Sequence, residues 1–262
     1  MAETLSVGLI GCGSIAEHAH IPTLERSRAA RLVAVAESDA ARRAWVSGRF
    51  PGVTLVEDGA ELLRDAGIRA VVIALPTGAA ASVAEAAFLA GKHVYVEKPG
   101  ARSASEWQAV VAAWSRSGTS GVIGYNFRQN PIFVDAVRRI REGAVGRVLA
   151  VQARFTWAPD RVEGWRARLV TGGGVLLDLA SHHIDLTSQL LDDRVDRVRC
   201  VTRSHRAEED TAAVSLDFRG GPSGQLFVSS AAGAHENRIT VVGSAGVLDV
   251  DLLDPRPAPV RQ

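Results

Sequence analysis

Residues 5–20, LSVGLIGCGSIAEHAH, join a short apolar run to a glycine-rich turn and the start of a helical segment. Within them, Gly11, Gly13 and Ala16 form a G-x-G-x-x-A array. In such an array the first glycine permits a tight turn and the second lets a pyrophosphate approach the backbone, while the small third residue lets the helix pack close to the strand. The stretch predicts a dinucleotide-binding turn, although a purely structural turn can carry the same glycines.

The first half of the chain repeats this alternation of strand and helix. Runs rich in Val, Ile and Leu predict buried strands at 5–10, 31–36, 53–56, 70–75 and 93–97. Helices are predicted at 14–29, 39–48, 58–66, 79–90 and 103–117, with Asp39 as an N-cap and Gly67, Gly91 and Gly118 as left-handed C-caps. The alternation predicts an α/β fold, with a doubly wound parallel (Rossmann) sheet in a dinucleotide-binding domain over residues 1–124.

The second half, residues 125–262, has a different rhythm. Helices are predicted at 131–142 and 174–191, and strands at 146–157, 195–203, 211–218, 224–231, 237–242 and 247–251. Consecutive strands without crossover helices predict an α+β domain built on an open, mostly antiparallel sheet. The Pro-rich end, residues 254–262, is expected to be loose.

The composition limits the class of protein. The chain has 262 residues and a formal net charge of +1, from 30 basic and 29 acidic residues, so no global field recruits nucleic acid or an anionic membrane. Its two cysteines, Cys12 and Cys200, lack metal-ligand spacing, which argues against a disulfide framework or a metal site. No apolar run approaches the ~18 residues of a membrane span, and we expect a cytoplasmic protein.

An acidic residue ends the second predicted strand. Glu37 lies about twenty residues beyond the glycines, where a carboxylate holds the hydroxyls of the adenosine ribose in dinucleotide-binding domains. A carboxylate there repels a 2′-phosphate and favours NAD over NADP, although Arg42 and Arg43 on the following helix leave NADP open. The structural alternative for Glu37 is a helix cap or a solvated acid.

The chain has only two lysines, Lys92 and Lys98, and all of its other lysine or arginine positions are arginine. A lysine, unlike an arginine, can lose its proton when its surroundings lower its pKa. Lys98 directly follows a predicted strand in HVYVEKPGARS, residues 93–103, and is therefore a candidate for chemistry. Lys92 follows the glycine of a helix–strand turn, and we expect it to be solvated.

A second chemical pattern lies in TGGGVLLDLASHHIDL, residues 171–186. Asp178 and His182 are four residues apart, so on a helix they share one face, where the carboxylate can orient the imidazole and stabilise its protonated form. Taken alone, such a pair is more often a surface hydrogen bond than a catalytic couple. His183 and Asp185 fall on other faces and are interpreted as structural.

Together these segments resemble the glucose–fructose oxidoreductase, inositol dehydrogenase and rhizopine-catabolism family of NAD(P)-dependent oxidoreductases. The resemblance runs nearly from end to end of the chain and is carried by GLIGCGSIA, AGKHVYVEKP, GYNFRQNP, GWRARLVTGGGVLLDLASHHIDL and ITVVGSAGVLDVD. It implies that Lys98, Asp178 and His182 form the catalytic group. It also implies that Lys98 lies beside the nicotinamide, where Glu97 orients it and Pro99 fixes the turn.

The resemblance extends to the cofactor, the substrate and the assembly. The implied NAD-binding residues are Gly11, Gly13, Ser14, Ile15, Ala16, Glu37, Pro76, Thr77, Glu97 and Lys98. The implied substrate is a sugar, cyclitol or related polyol that is bound by Lys98, Asp178 and His182. Arg128, Trp165 and Arg166 are further candidates for substrate contacts, and the alternative for them is a packing role. Relatives usually continue past the last strand of this chain, so either the second domain is shortened or the sequence is incomplete. In relatives the outer face of this sheet commonly forms the dimer interface, so we expect a homo-oligomer formed through it.

Two other functions are left open by the resemblance. Some relatives use the same cofactor without net redox turnover, as epimerases, lyases or glycoside-cleaving enzymes. A non-catalytic sensor of dinucleotide or sugar is the third reading, and retention of Lys98, Asp178 and His182 argues against it, because a sensor needs no such group.

Overall fold

The computed structural model describes residues 4–159, 162–256 and 260–261. The chain divides into two compact units, Met1–Gly124 and Tyr125–Gln262. None of the helices in the described ranges combines the length and the apolar composition that a membrane span requires.

A parallel sheet forms the centre of the first unit. Its strands are β1 (Leu5–Ile10), β2 (Ala30–Ala36), β3 (Thr54–Val56), β4 (Ala70–Ile73), β5 (His93–Val96) and β6 (Gly121–Ile123). They lie in the order β3-β2-β1-β4-β5-β6, and every neighbouring pair is parallel. The order reverses its direction at β1, which makes β1 and β4 the switch point of a doubly wound sheet. The predicted Rossmann fold is confirmed.

Helices cover both faces of this sheet. They are α1 (Ile21–Arg26), α2 (Ala40–Arg49), α3 (Gly59–Arg64), α4 (Thr77–Leu89) and α5 (Ala104–Ser117). Leu9 is buried with α1 and α2 on one face, whereas its neighbour Ile10 is buried with α3, α4 and α5 on the other. Because successive strand residues point to opposite faces, the continuous apolar run of β1 is the expected pattern for such a strand.

Most predicted helix ends are confirmed. The Asp39 carboxylate caps the N-terminus of α2, and Gly91 and Gly118 have the left-handed φ angles of 71° and 66° just past α4 and α5. The prediction for Gly67 is wrong. Helix α3 ends earlier than predicted, with Asp65 as its C-cap, and the Asp65 carboxylate accepts the Gly67 N–H at 2.8 Å.

The second unit contains a mostly antiparallel sheet, as predicted. Its strands are β7 (Val148–Thr156), β8 (Val195–Arg203), β9 (Thr211–Phe218), β10 (Ser223–Ser229), β11 (Glu236–Gly243), β12 (Val247–Asp251) and β13 (Val260–Arg261). The order is β13-β12-β11-β7-β10-β9-β8, and only the β7–β10 pair is parallel among the described pairs. Because β13 pairs with β12, the expectation of a loose end is wrong at 260–261; residues 257–259 and 262 lie outside the described residues.

Two helices, α6 (Pro131–Arg141) and α7 (Ser181–Leu191), pack against one face of this second sheet. Phe133 of α6 and Leu186 of α7 are buried in one cluster with Val151, Val214 and Ile239 of the strands. The strands alternate buried and exposed residues, which is the pattern of a sheet covered on one side.

Candidate active site

The nucleotide turn, residues 11–16, leaves the carboxyl end of β1. Gly11 has a φ of 88°, and a Cβ there would lie 2.6 Å from the Ala74 carbonyl oxygen, so a larger residue would clash. A Cβ on Gly13 would meet no atom within 4 Å, which leaves this backbone open to a ligand. Ala16 is fully buried against the core. Each position of the array fits a dinucleotide turn, with room for a pyrophosphate at Gly13.

The helix after the turn begins with a π turn. Ser14 and Ile15 are exposed at its mouth. In Ala16–His20 the backbone is π-helical, and the Ile21 N–H donates to the Ala16 carbonyl, five residues back. Helix α1 follows directly and ends at Arg26. The helix predicted over 14–29 is therefore present as one continuous helical segment over 14–26 that contains a π turn.

Glu37, at the end of β2, is attached to the nucleotide turn. Its carboxylate accepts the backbone N–H of Cys12 at 2.7 Å and that of Asp39 at 2.9 Å. Arg42 donates to the Cys12 carbonyl at 2.8 Å, and Arg43 donates to the Glu37 carbonyl at 2.6 Å. Glu37 is therefore an acceptor held beside the glycines, whereas Asp39 is the cap of α2.

The loop after β4 contains two more predicted cofactor residues. Pro76 is exposed and precedes α4, and Thr77, the first residue of α4, is only 3% exposed. Because β4 lies beside β1 in a parallel sheet, this helix N-terminus lies at the same edge of the sheet as the nucleotide turn. Backbone N–H groups at a helix N-terminus favour anionic ligands.

The segment that contains Lys98 leaves the carboxyl end of β5. Lys98 is half-buried, and the Lys98–Pro99 peptide bond is cis. The preceding Glu97 lies 2.9 Å from His20, measured from Oε1 to Nε2, and the two side chains are only 15% and 14% exposed. This hydrogen bond joins the π turn to the segment that follows β5.

Tyr95 completes this cluster. Its ring lies edge-on to His20, with 5.3 Å between the ring centroids. Burial, and then the charge of Glu97, raise the pKa of Tyr95 to about 12, so its hydroxyl stays protonated at neutral pH. The sequence analysis missed His20, because nothing in the pattern relates it to Glu97, which follows 77 residues later.

Lys92 is buried, so the expectation that it is solvated is wrong. Its side chain donates from Nζ to the carbonyl oxygens of Asp65 at 2.6 Å and of Ile68 at 2.8 Å, and the residue is 5% exposed. These two carbonyls belong to the connection between α3 and β4. Lys92 therefore stabilises the loop between α3 and β4 from a buried position, and the two lysines of the chain occupy unlike environments.

The helical segment of the second unit that contains Asp178 and His182, residues 176–191, also begins with a π turn. The backbone is π-helical over Leu176–Ala180, and the Ser181 N–H donates to the Leu176 carbonyl. Asp178 lies within this turn and His182 in the first turn of α7, so the helix predicted over 174–191 is present and contains a π turn. His182 is 6% exposed, with the centroid of its ring 4.6 Å from that of Phe127.

Asp178 also contacts a residue predicted to bind substrate. Arg166 donates from Nε to Asp178 Oδ2 at 3.2 Å, and its guanidinium lies 4.4 Å from the centroid of the Trp165 ring. This brings three of the predicted site residues together within the second unit. Arg128 lies elsewhere in that unit and forms an ion pair with Asp185, in which the Nε–Oδ2 distance is 2.7 Å.

His183 has the structural environment expected for it. It is fully buried, lies 2.8 Å from the Asn237 side-chain oxygen through Nε2, and stacks on Phe155. Burial lowers the pKa of His183 to about 4, partly opposed by the hydrogen bond with Asn237. The ring is therefore neutral at physiological pH. In the described ranges, no cluster of three or more His, Cys, Asp or Glu side chains could hold a metal ion.

Known proteins share both halves of this architecture. Residues 5–125 match the oxidoreductase family with an NAD-binding Rossmann fold, and residues 133–249 match the GFO/IDH/MocA C-terminal domain. Levoglucosan dehydrogenase from Pseudarthrobacter phenanthrenivorans is 31% identical over 203 residues, 73% of this chain and 52% of that protein. The dTDP-3,4-didehydro-2,6-dideoxy-α-D-glucose 3-reductase of Streptomyces violaceoruber is 30% identical over 260 residues, 98% of this chain and 75% of that protein.

A solved structure is also similar over nearly the whole chain. GenD2 from gentamicin A biosynthesis, in complex with NAD, has a TM-score of 0.88 at 30% identity and covers 96% of this chain and 73% of its own. The chain therefore belongs to the GFO/IDH/MocA family of oxidoreductases. It spans about half the length of the levoglucosan dehydrogenase that it matches.

Proposed function

We propose that this protein transfers a hydride between NAD and a secondary alcohol or ketone of a sugar, cyclitol or related polyol. The observation that carries the proposal is the position of Lys98. Lys98 follows β5 and the nucleotide turn follows β1, so both leave the same carboxyl edge of one parallel sheet. Doubly wound sheets bind their ligands at that edge.

Three side chains have separate tasks in the proposed reaction. Lys98 donates a hydrogen bond to the reacting oxygen, His182 accepts the hydroxyl proton during oxidation, and Asp178 stabilises the resulting imidazolium. NAD, when bound, accepts the hydride from the alcohol carbon. Positioned acid–base groups of this kind contribute about 10²–10⁴-fold to the rate. Arg128 is proposed to contact substrate hydroxyls, whereas the guanidinium of Arg166, which lies over the Trp165 ring, is directed at Asp178.

The cofactor is proposed to be NAD rather than NADP. Glu37 presents a carboxylate beside the nucleotide turn, while Arg42 and Arg43 donate to backbone carbonyls of the protein itself. A 2′-phosphate at this position would face a negative charge. The ratio of kcat/KM for NAD to that for NADP measures the preference. Glu37→Ala is expected to lower this ratio, and an unchanged ratio would contradict the role of Glu37.

The decisive experiment is a spectrophotometric panel of polyols, sugars and ketosugars with NAD(H) and NADP(H), run on purified protein that has been checked for bound nucleotide. Lys98→Met is expected to abolish turnover while NADH affinity, measured by fluorescence titration, stays near that of the unmodified protein. Comparable loss of turnover and of NADH binding would contradict a catalytic role. Tightly held NAD without net turnover would instead favour an epimerase, lyase or glycoside-cleaving enzyme.

We also propose that two copies of the chain associate through the outer face of the second sheet. This is the face opposite α6 and α7, and it exposes apolar side chains, including Phe227 at 42% and Val201 at 55%. Large apolar residues on one exposed sheet face are typical of contact surfaces. Light scattering after size-exclusion chromatography tests the proposal, since Phe227→Glu is expected to reduce the molar mass to that of a monomer. A monomeric unmodified protein would contradict it.

A further inference from the structure

The backbone of Trp165 and Arg166 packs against three consecutive glycines, residues 172–174, which are called the glycine run below. A Cβ on Gly173 would lie 2.4 Å from the Arg166 carbonyl oxygen and 2.5 Å from that of Trp165, so this approach requires glycine. The Gly174 N–H donates to the Arg166 carbonyl at 3.3 Å, and the Thr171 hydroxyl donates to the Trp165 carbonyl at 2.8 Å. The glycine run therefore holds the backbone of these two residues next to the start of the π turn.

From this backbone position the Arg166 side chain contacts Asp178. Its Nε donates to Asp178 Oδ2 at 3.2 Å, and the Trp165 ring supports the guanidinium at a cation–π distance of 4.4 Å. The Asp178 side chain is 13% exposed, whereas that of Arg166 is 41% exposed. A largely desolvated carboxylate is thus oriented by a cation that remains accessible to solvent, and a charge-assisted hydrogen bond of this kind restrains the carboxylate geometry.

We propose that Arg166 is a positioning residue, which acts on the reaction by fixing the Asp178 carboxylate in the orientation that supports His182. This inference rests on the proposed function, in which Asp178 stabilises the protonated imidazole. The inference also explains the glycine run. Because Gly173 has no Cβ, the Arg166 backbone can lie close enough for its side chain to contact Asp178. Trp165 contributes by holding the guanidinium plane.

The first test compares Arg166→Ala with Arg166→Lys and with a matched control, Arg168→Ala. Arg168 lies two residues further along the same segment and is exposed. Arg166→Ala is expected to lower kcat by about 10- to 100-fold, the usual effect of losing an orienting partner, while the KM for NAD stays unchanged. Arg166→Lys should lose less, because it retains the charge, and Arg168→Ala should behave like the unmodified protein.

A second readout separates positioning from a merely structural role. Millimolar guanidinium chloride is expected to restore part of the kcat of Arg166→Ala, relative to sodium chloride at equal ionic strength, because the ion can reoccupy the exposed site beside Asp178. It should have no such effect on Arg168→Ala. The melting temperature of each variant is measured, so that a folding defect is recognised. Partial recovery of kcat with guanidinium, together with a smaller loss in Arg166→Lys than in Arg166→Ala, then supports a positioning role for the side chain.

The double variant Arg166→Ala/Asp178→Asn shows whether Arg166 acts through Asp178. Because both changes affect one interaction, the double variant should be no slower than Asp178→Asn alone. Equal fractional losses from Arg166→Ala in both backgrounds, or an unchanged kcat in Arg166→Ala, would overturn the inference. An Asp178→Asn variant with normal kcat would refute the proposed role of Asp178 itself, so the two failures give different results.

Discussion

The two lysines of this chain should respond in opposite ways to the same substitution. Lys92 donates to the Asp65 and Ile68 carbonyls from a buried position, whereas Lys98 is half-buried at the end of β5. Lys92→Met keeps the length and apolar stem of the side chain but removes both hydrogen bonds. Lys98→Met removes the amine proposed to act on substrate. Each variant is therefore the matched control for the other.

The expected cost of Lys92→Met follows from its two bonds. Hydrogen bonds from a charged donor contribute about 1.5–3 kcal/mol each, so two of them contribute roughly 3–6 kcal/mol. The Asp65 carbonyl keeps the hydrogen bond from the Ile68 N–H at 3.2 Å, so it is not left unpaired. Replacing a buried ammonium by an apolar group also recovers a desolvation penalty of several kcal/mol. We expect a net loss of about 1–3 kcal/mol in the free energy of unfolding.

Urea denaturation followed by tryptophan fluorescence measures this loss, and steady-state kinetics measure activity in the same preparations. Lys92→Met should unfold at lower urea while keeping the kcat of the unmodified protein. Lys98→Met should have no turnover and should bind NADH with an affinity near that of the unmodified protein. The reasoning is refuted if Lys92→Met is as stable as the unmodified protein, or if Lys98→Met loses NADH affinity together with turnover.

The glycines of the nucleotide turn should separate binding from folding. Gly13→Ala places its methyl group in open space, so this variant should keep the melting temperature of the unmodified protein but bind NADH more weakly in a fluorescence titration. In Gly11→Ala the methyl group would lie 2.6 Å from the Ala74 carbonyl oxygen, so this variant should have a lower melting temperature. His183 should make stability depend on pH. Because burial lowers its pKa to about 4 from 6.5 in the unfolded chain, the unfolded state binds the proton first, and about 3 kcal/mol of stability should disappear as the pH falls from 6.5 to 4. His183→Gln should flatten that part of a pH series of urea midpoints; a series that matches the unmodified protein would contradict the assignment.

Local patterns predicted the first unit well because its strands are buried on both faces. The strands β1 to β5 are short and rich in Val, Ile, Leu and Ala, and the glycine array after β1 has a conformational requirement that sequence alone reveals. The parallel pairing of β7 with β10 could not be predicted in the same way. Strand order in the second sheet depends on contacts between distant segments, and period-2 alternation does not specify which strands become neighbours.

Individual side chains were mispredicted where their partners are remote in sequence. Lys92 follows a turn glycine, a position typical of solvated lysines, and its two carbonyl acceptors precede it by 27 and 24 residues. The contact of Arg166 with Asp178 could not be predicted either, because it depends on the close approach that Gly173 permits; a substrate contact of Arg166 stays a prediction. A buried cation is stable only with such partners, and a sequence does not display them.

The two π turns explain a further limit of prediction from helical periodicity. An α-helix advances by about 100° per residue, so one extra residue within a turn rotates every later side chain by roughly that angle. The turn at Ala16–His20 precedes α1, and the turn at Leu176–Ala180 precedes α7. A helical face drawn through 14–29 or 174–191 is therefore correct on one side of the turn and displaced on the other. His20 lies at the end of such a turn, and its partner Glu97 follows 77 residues later, so neither its direction nor its contact could be predicted from local periodicity.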